Sequence, residues 1–254
     1  MLHSKSIKWL LVALLCVFVS ACVSTKNSNK SVSNKEKAEL NLKMGGRYLE
    51  MNMLETAKEK IELSISLDSK NAKAYNTLGV LYERLKQYDM AGKEYKKAMQ
   101  LDENNASIQN NYGRFLCEKE DYQAGVALLK KAIAMPFNHR KWFAYTNIGR
   151  CELGKGDLVM AERNFRQALQ ENKKYSPALS EMQKISYKAK KYMSARAFLE
   201  RYLAVSKHSA ETLWYAVQTE RAIGNKAMSE KYRDQLLIRF PASKESKQVK
   251  TAIR

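Results

Sequence analysis

Cysteine and histidine are the side chains from which chemistry would be expected, and the chain has few of either. It contains 4 Cys and 3 His in 254 residues, with neither Cys-x-x-Cys nor His-x-x-x-His. Zinc fingers, haem attachment sites and iron–sulfur clusters need ligands at such spacings, so no metal site is predicted. His139 and His208 lie far apart, with no carboxylate at a spacing that suggests a triad. We therefore predict no catalytic residue, no metal, no cofactor and no small-molecule substrate, and expect a protein that is not an enzyme.

The amino terminus has the pattern of a secretory signal. Lys5 and Lys8 precede an unbroken apolar run over residues 9–19, and small residues follow the run. This run is too short to span a bilayer and has a small-residue boundary, which is typical of a cleaved signal peptide. The sequence therefore predicts a signal peptide over residues 1–21.

Cys22 stands directly after that boundary. Val19-Ser20-Ala21-Cys22 resembles the bacterial lipobox, in which the Cys is diacylated, the preceding peptide is removed and the new amino terminus is acylated. Three acyl chains exceed the two signals that stable anchoring needs. Val23, in place of Asp, favours the periplasmic face of the outer membrane by resemblance to lipoprotein sorting. The alternative is a plain secretory peptide with an incidental Cys.

The segment after the boundary is polar and has no helical apolar period. Residues 22–37 are therefore predicted to form a lipidated Cys followed by a flexible tether. Removal of residues 1–21 takes away only Lys5 and Lys8, which lowers the net charge from +19 to +17. A lipid-anchored location excludes cytosolic nucleic acid as the partner of this charge. An acidic protein segment and an anionic membrane surface both stay open, as does a role in solubility alone.

From residue 38 the chain repeats. Gly45, Gly79, Gly113 and Gly149 are separated by 34, 34 and 36 residues. A helix–turn–helix period of 34 is the tetratricopeptide signature, and the segment Tyr75-x-x-Leu78-Gly79-x-x-Tyr82 matches its first helix. A generic helical bundle with chance periodicity is the alternative. We predict an all-α fold, a right-handed superhelical solenoid of six tetratricopeptide hairpins. The predicted units are 38–71, 72–105, 106–139, 142–175, 176–209 and 210–243, followed by a basic C-terminal tail at 244–254.

Segments outside the repeat consensus carry a more specific resemblance. Tyr112-Gly113-Arg114-Phe115-Leu116-Cys117 opens the third unit, and Arg239-Phe240-Pro241 ends the sixth. With the lipobox, they resemble the type IV pilus biogenesis and stability lipoprotein family, which are pilotins with six tetratricopeptide units. Gln183 in place of Gly and Gly125 in place of Ala depart from the pattern.

The resemblance implies a function in binding. Such pilotins bind subunits of the pilus secretin and promote their outer-membrane localisation and multimerisation, without catalysing a reaction. Two alternatives fit the lipobox and the solenoid: a scaffold of outer-membrane protein insertion, and a scaffold that regulates a cell-wall enzyme. Neither alternative explains the Tyr-Gly-x-Phe-Leu-Cys and Arg-Phe-Pro segments.

A partner-binding groove is predicted on the first helices of the first three units. In tetratricopeptide units the groove-facing residues lie near positions 2, 5, 9 and 12. The selected residues are Leu42, Gly46, Leu49, Asn76, Val80, Glu83, Asn110 and Arg114. Among these, Leu42, Leu49 and Val80 are expected to form an exposed apolar strip, which is typical of a binding site. The alternative is that a neighbouring segment covers the strip.

Cys117 and Cys151 are the thiols left once Cys16 is removed and Cys22 is lipidated. They lie on the first helices of adjacent units, where a two-residue shift is only about 3 Å of axial rise. This placement is compatible with a disulfide, which the oxidising periplasm would preserve. The bond would close a loop of about 34 residues and stabilise the fold by about 3 kcal/mol. The alternative is two separately buried thiols.

Overall fold

The computed structural model describes residues 32–251, and all of the regular structure in that range is helical. It contains the helices α1 Asn34–Glu50, α2 Leu54–Leu67, α3 Ala72–Arg84, α4 Tyr88–Leu101, α5 Ala106–Glu118, α6 Tyr122–Ala134, α7 Lys141–Gly154, α8 Leu158–Glu171, α9 Ser176–Lys188, α10 Tyr192–Leu203, α11 Ala210–Ile223, α12 Lys226–Arg239 and α13 Lys244–Thr251. The first twelve helices pair in chain order into six antiparallel hairpins, and α13 packs on α11 and α12. The predicted fold class, an all-α stack of tetratricopeptide hairpins, is confirmed.

The turn inside each hairpin repeats with the sequence period. Each turn contains one residue with positive φ, and the six are separated by 34, 34, 36, 34 and 34 residues. They are Asn52, Lys86, Glu120, Gly156, Lys190 and Gly224. The two hairpins with the weakest sequence signature, the fifth and the sixth, therefore keep the same backbone geometry as the others.

The repeated glycines mark places where the two helices of a hairpin approach closely. A methyl group on Gly79 would lie 2.8 Å from the ring of Tyr95, which is fully buried. A methyl group on Gly149 would lie 2.6 Å from the ring of Phe165. Since carbon atoms do not approach so closely, only glycine leaves room for these core rings.

The structure departs from the predicted boundaries at both ends. The first helix begins at Asn34, inside the segment predicted as tether, because Ser33 and Glu36 form a reciprocal capping box. Near the other end, the segment predicted as a basic tail forms α13 from residue 244 onwards. Val249 of this helix is buried against Leu213. Burial of one apolar face explains why the basic segment is helical.

Other predictions fall outside the described residues. The signal peptide at 1–21 and the lipidated Cys22 lie in the part of the chain that the structure does not describe. Between residues 32 and 251, no helix combines the length and apolarity needed to cross a membrane.

Cys117 and Cys151 are joined by a disulfide in the structure, with a Cα–Cα distance of 5.4 Å. The bond links α5 to α7, the first helices of the third and fourth hairpins. Both residues are buried, in a cluster that includes Leu129. Gly125 lies against this bond, because a methyl group there would overlap Cys117 Sγ and lie 2.6 Å from the Gly113 carbonyl oxygen. The space occupied by the sulfur explains why this unit has Gly where the repeat pattern has Ala.

Candidate binding face of the solenoid

The first helices of the hairpins form a common surface, which we call the inner face. Each second helix packs on the first helix of the next hairpin. First helices also contact one another directly, α1 with α3, α3 with α5, α5 with α7 and α9 with α11. Because the first helices of neighbouring hairpins contact one another, the stack curves towards them. This curvature gives the extended concave surface that solenoids use for binding.

The predicted groove residues of the first hairpin have different environments. A methyl group on Gly46 would meet no atom within 4 Å, so this position faces open space. Leu42 is half-buried. Leu49 is only 6% exposed, and its carbonyl oxygen accepts a hydrogen bond from Arg84 of the second hairpin. The expectation of an exposed Leu49 is therefore wrong.

Contacts with the second hairpin explain why Leu49 is buried. Leu49 packs in a core cluster with Leu78 and Leu81 of α3, and Val80 is half-buried against the same cluster. These leucines fill the space between the first two hairpins, because each hairpin has to bury apolar surface against the next one. The predicted apolar strip is not an exposed surface: a neighbouring helix covers most of it.

Glu83 and Arg114 are brought together across the second and third hairpins. The Arg114 guanidinium donates to both carboxylate oxygens of Glu83, at 2.6 and 3.0 Å, and also to Glu118 at 2.6 Å. The Tyr95 hydroxyl donates to Glu83 as well. Burial opposes the charge on Arg114, but the hydrogen bonds and charge of Glu83 outweigh it, so the guanidinium pKa is raised. Burial, with the charge of Glu83, raises the pKa of the Tyr95 hydroxyl above its ordinary value.

Asparagines form a continuous hydrogen-bonded row across the inner face, which we call the asparagine row. The Asn111 amide donates to the side-chain oxygen of Asn76 at 3.2 Å, and the Asn110 amide donates to Asn111 at 3.3 Å. The Asn147 amide donates to Asn110 at 3.0 Å. The row connects the second, third and fourth hairpins. The sequence reasoning selected Asn76 and Asn110, at position 5 of their units. It missed Asn111 and Asn147, which lie at position 6 of theirs.

The inner face of the later hairpins is also lined by ion pairs. Glu181 is buried and accepts from Arg150 at 3.2 Å, and it pairs with Lys184 at 2.8 Å. Lys184 also reaches Glu211 of the sixth hairpin at 3.2 Å. Arg114, Arg150 and Lys184 on this face are thus each paired with a carboxylate. In the described part of the chain, no three His, Cys, Asp or Glu side chains form a group that could hold a metal ion.

The sequence matches known proteins at two levels. The tetratricopeptide repeat model matches residues 72–105, the second hairpin. Over 238 residues the chain is 25% identical to the type IV pilus assembly protein PilF of Pseudomonas aeruginosa, covering 92% of this chain and 94% of that protein. The solved structure of PilF from Pseudomonas aeruginosa superimposes with a TM-score of 0.74 at 24% identity, covering 86% of this chain and 99% of that one.

A second solved structure is also that of a type IV pilus protein. PilW, described as a widely conserved type IV pilus biogenesis factor, superimposes with a TM-score of 0.74 at 27% identity, covering 84% of this chain and 97% of that one. The resemblance to the type IV pilus biogenesis family is confirmed. Fold alone would not support this resemblance, because a chain of the APC/C hetero-tetramer Cut9–Hcn1 gives a TM-score of 0.75 at 18% identity. That match covers 86% of this chain and only 43% of the other, whereas PilF and PilW match over nearly their whole length.

Proposed function

We propose that this protein is a pilotin: a non-catalytic outer-membrane lipoprotein that binds secretin subunits and promotes their localisation and multimerisation during type IV pilus biogenesis. The observation that carries the proposal is the end-to-end similarity to two type IV pilus proteins, on a fold built for binding.

Membrane attachment in this proposal depends on Cys22. The lipobox at residues 19–22 supplies the acylated residue, and Val23 directs the lipoprotein to the periplasmic face of the outer membrane. Since the first helix begins at Asn34, only the segment from Cys22 to Ser33 separates the lipid from the solenoid. At about 3.3–3.6 Å per residue, this segment reaches at most about 40 Å from the bilayer. A secretin segment bound to the solenoid would therefore be held close to the membrane.

The proposed contact with secretin lies on the inner face of the first three hairpins. Gly46 leaves open space there, Leu42 and Val80 present half-buried apolar atoms, and the asparagine row supplies amides. Glu83 and Arg114 hold the second and third hairpins in a fixed relation through their ion pair. Leu49 takes no part in this contact, because its side chain belongs to the core.

Deletion of the gene tests the proposal as a whole. We expect loss of heat-resistant secretin multimers on a blot and loss of twitching motility, with both restored by the wild-type gene. A Cys22→Ser variant should move secretin monomers and the protein itself out of the outer-membrane fraction. Unchanged multimers and motility in the deletion strain would reject the pilotin function, and would favour a scaffold in outer-membrane protein insertion or cell-wall enzyme regulation.

Gly46→Glu tests the location of the contact. The position is open and helical, and Glu favours helix more than Gly does, so the fold should be retained. The matched control is Leu63→Glu, at an exposed apolar position on the second helix of the same hairpin. We expect Gly46→Glu to reduce secretin multimers strongly and Leu63→Glu to leave them unchanged. Normal multimers with Gly46→Glu would reject this placement while leaving the pilotin function itself standing.

A further inference from the structure

A cavity of about 610 Å³ opens between the third and fourth hairpins, beside the asparagine row. One side is the start of α5 and the loop before it, and the other side is the loop 135–140 with the start of α7. This loop is two residues longer than the four-residue loop that enters α5, and it accounts for the 36-residue spacing of the sequence repeat. The longer loop 135–140 forms one wall of the cavity.

The floor of the cavity is polar and has unused hydrogen-bonding capacity. Asn110 and Asn111 both line it and both belong to the asparagine row. Each amide group has two N–H donors and two acceptor lone pairs. In the row, each of the two side chains uses one donor and one acceptor position. A free N–H and a free lone pair on each therefore match the alternating C=O and N–H groups of an extended peptide.

The wall of the cavity is apolar and exposed. Phe137 lies in the loop and is 87% exposed, the highest value among the large apolar side chains of the described chain. Phe143 on α7 also lines the cavity, at 37% exposure, and its ring makes an edge contact with Tyr175 at 5.2 Å. An aromatic ring as exposed as that of Phe137 costs solvation free energy unless a partner covers it. Phe137 and Phe143 give the cavity an aromatic lining, against which another aromatic side chain can pack.

Arg140 supplies the charge at the cavity. No acidic residue is found among the described residues that line it. The Arg140 guanidinium lies 5.7 Å from the Phe143 ring centroid, at the edge of the apolar wall. Arg114 on α5, by contrast, is paired with Glu83. Arg140 makes no ion pair within 4 Å in the described chain, so it is available to a carboxylate from outside.

We propose that this cavity is a second binding site, which takes an extended peptide segment containing an aromatic side chain flanked by carboxylates. The peptide backbone bonds to Asn110 and Asn111, the aromatic ring packs between Phe137 and Phe143, and a carboxylate pairs with Arg140. The site is distinct from the contact proposed on the first three hairpins, although Asn110 and Asn111 border both. For that reason the test uses substitutions on the loop 135–140 alone, whose failure would not affect the proposed function.

The test measures fluorescence anisotropy of a labelled peptide, Ser-Glu-Asp-Phe-Asp-Glu-Ser, titrated with the full-length protein in detergent. Two further peptides have the phenylalanine replaced by serine, or all carboxylates replaced by amides. Phe137→Ser and Arg140→Gln alter exposed loop residues, so the fold should be retained. The matched control is Val159→Ser, at a 78% exposed apolar position away from the cavity.

We expect the parent peptide to bind and each altered peptide to bind about tenfold more weakly or worse, as for the loss of an anchor residue. Phe137→Ser and Arg140→Gln should weaken binding of the parent peptide to a similar extent, and Val159→Ser should leave it within about twofold. Absence of binding by the parent peptide would overturn the proposal. Equal binding of all three peptides, or equal effects of Phe137→Ser and Val159→Ser, would also overturn it.

Discussion

Substitution of Gly125 by Ala would test the close packing around the disulfide. The added methyl group would lie 2.6 Å from the Gly113 carbonyl oxygen and 3.0 Å from the Cys117 nitrogen, and it would overlap Cys117 Sγ. Normal contact distances require α5 and α6 to separate by about 1 Å, and overpacking of this kind costs about 1–3 kcal/mol. The higher helix propensity of Ala offsets about 1 kcal/mol of that cost. We therefore expect the free energy of unfolding to fall, by up to about 2 kcal/mol.

Gly46→Ala is the matched control for this substitution. It makes the same chemical change in a helix, but the new methyl group meets no atom within 4 Å. We expect it to raise the free energy of unfolding by about 0.5–1 kcal/mol, through helix propensity alone. The assay is thermal unfolding followed by circular dichroism, in which Gly125→Ala should lower the melting temperature by up to about 8 °C.

Measurement after reduction of the disulfide distinguishes the contact of the new methyl group with Cys117 Sγ from its contact with the Gly113 carbonyl oxygen. A reduced Cys117 side chain can rotate away, whereas the Gly113 carbonyl oxygen is part of the backbone and stays 2.6 Å from the methyl position. Gly125→Ala should therefore remain destabilising relative to the wild type when both are measured with reductant. A Gly125→Ala protein as stable as Gly46→Ala, in either redox state, would refute the packing argument.

Three further predictions concern stability. Arg114→Met should lower the free energy of unfolding by about 2–3 kcal/mol, because it leaves the Glu83 carboxylate buried without its partner. Addition of Glu83→Gln should restore most of this loss. A double-mutant cycle in urea measures both effects, and additive losses would contradict the prediction. Burial, aided by the charge of Arg239, lowers the pKa of His208 below its ordinary value of about 6.5, so the unfolded chain takes up this proton first as the pH falls. Stability should therefore be lost as the pH falls below about 6.5, and His208→Gln should lose less between pH 7.5 and 5.5; an identical pH dependence would show that His208 does not contribute. Reduction of the disulfide should lower the free energy of unfolding by about 3 kcal/mol, because its 34-residue separation restricts the unfolded chain; an unchanged urea midpoint with reductant would show that the bond does not stabilise the fold.

The repeated architecture could be read from the sequence because each hairpin is a local structure. Gly79 and Tyr95 lie within one hairpin, and their close packing depends only on residues 16 positions apart. Local contacts of this kind recur with the period of the chain, so spacing alone identifies them. The separation of Cys117 and Cys151 by 34 residues, two fewer than the 36-residue spacing of these units, likewise placed them on neighbouring first helices.

The binding surface was predicted less well, because exposure depends on the neighbouring hairpin. Leu49 occupies a groove position in the repeat, but the actual crossing of α1 and α3 buries it in the core between them. The row from Asn76 to Asn147 forms only once three hairpins are stacked, and each of its members is an ordinary helix residue in the sequence. The two extra residues of the third repeat showed in the sequence that a loop there is longer, without indicating what it encloses.

The number of hairpins, their order and the repeated glycine positions could all be read from the spacing of residues along the chain. These features follow from short-range sterics that every hairpin repeats. Only the tertiary structure decided that Leu49 is covered, that Phe137 is exposed and that Arg140 has no carboxylate beside it. Such properties depend on the angle and distance between successive hairpins, to which many weak contacts contribute, and no single spacing in the chain encodes them.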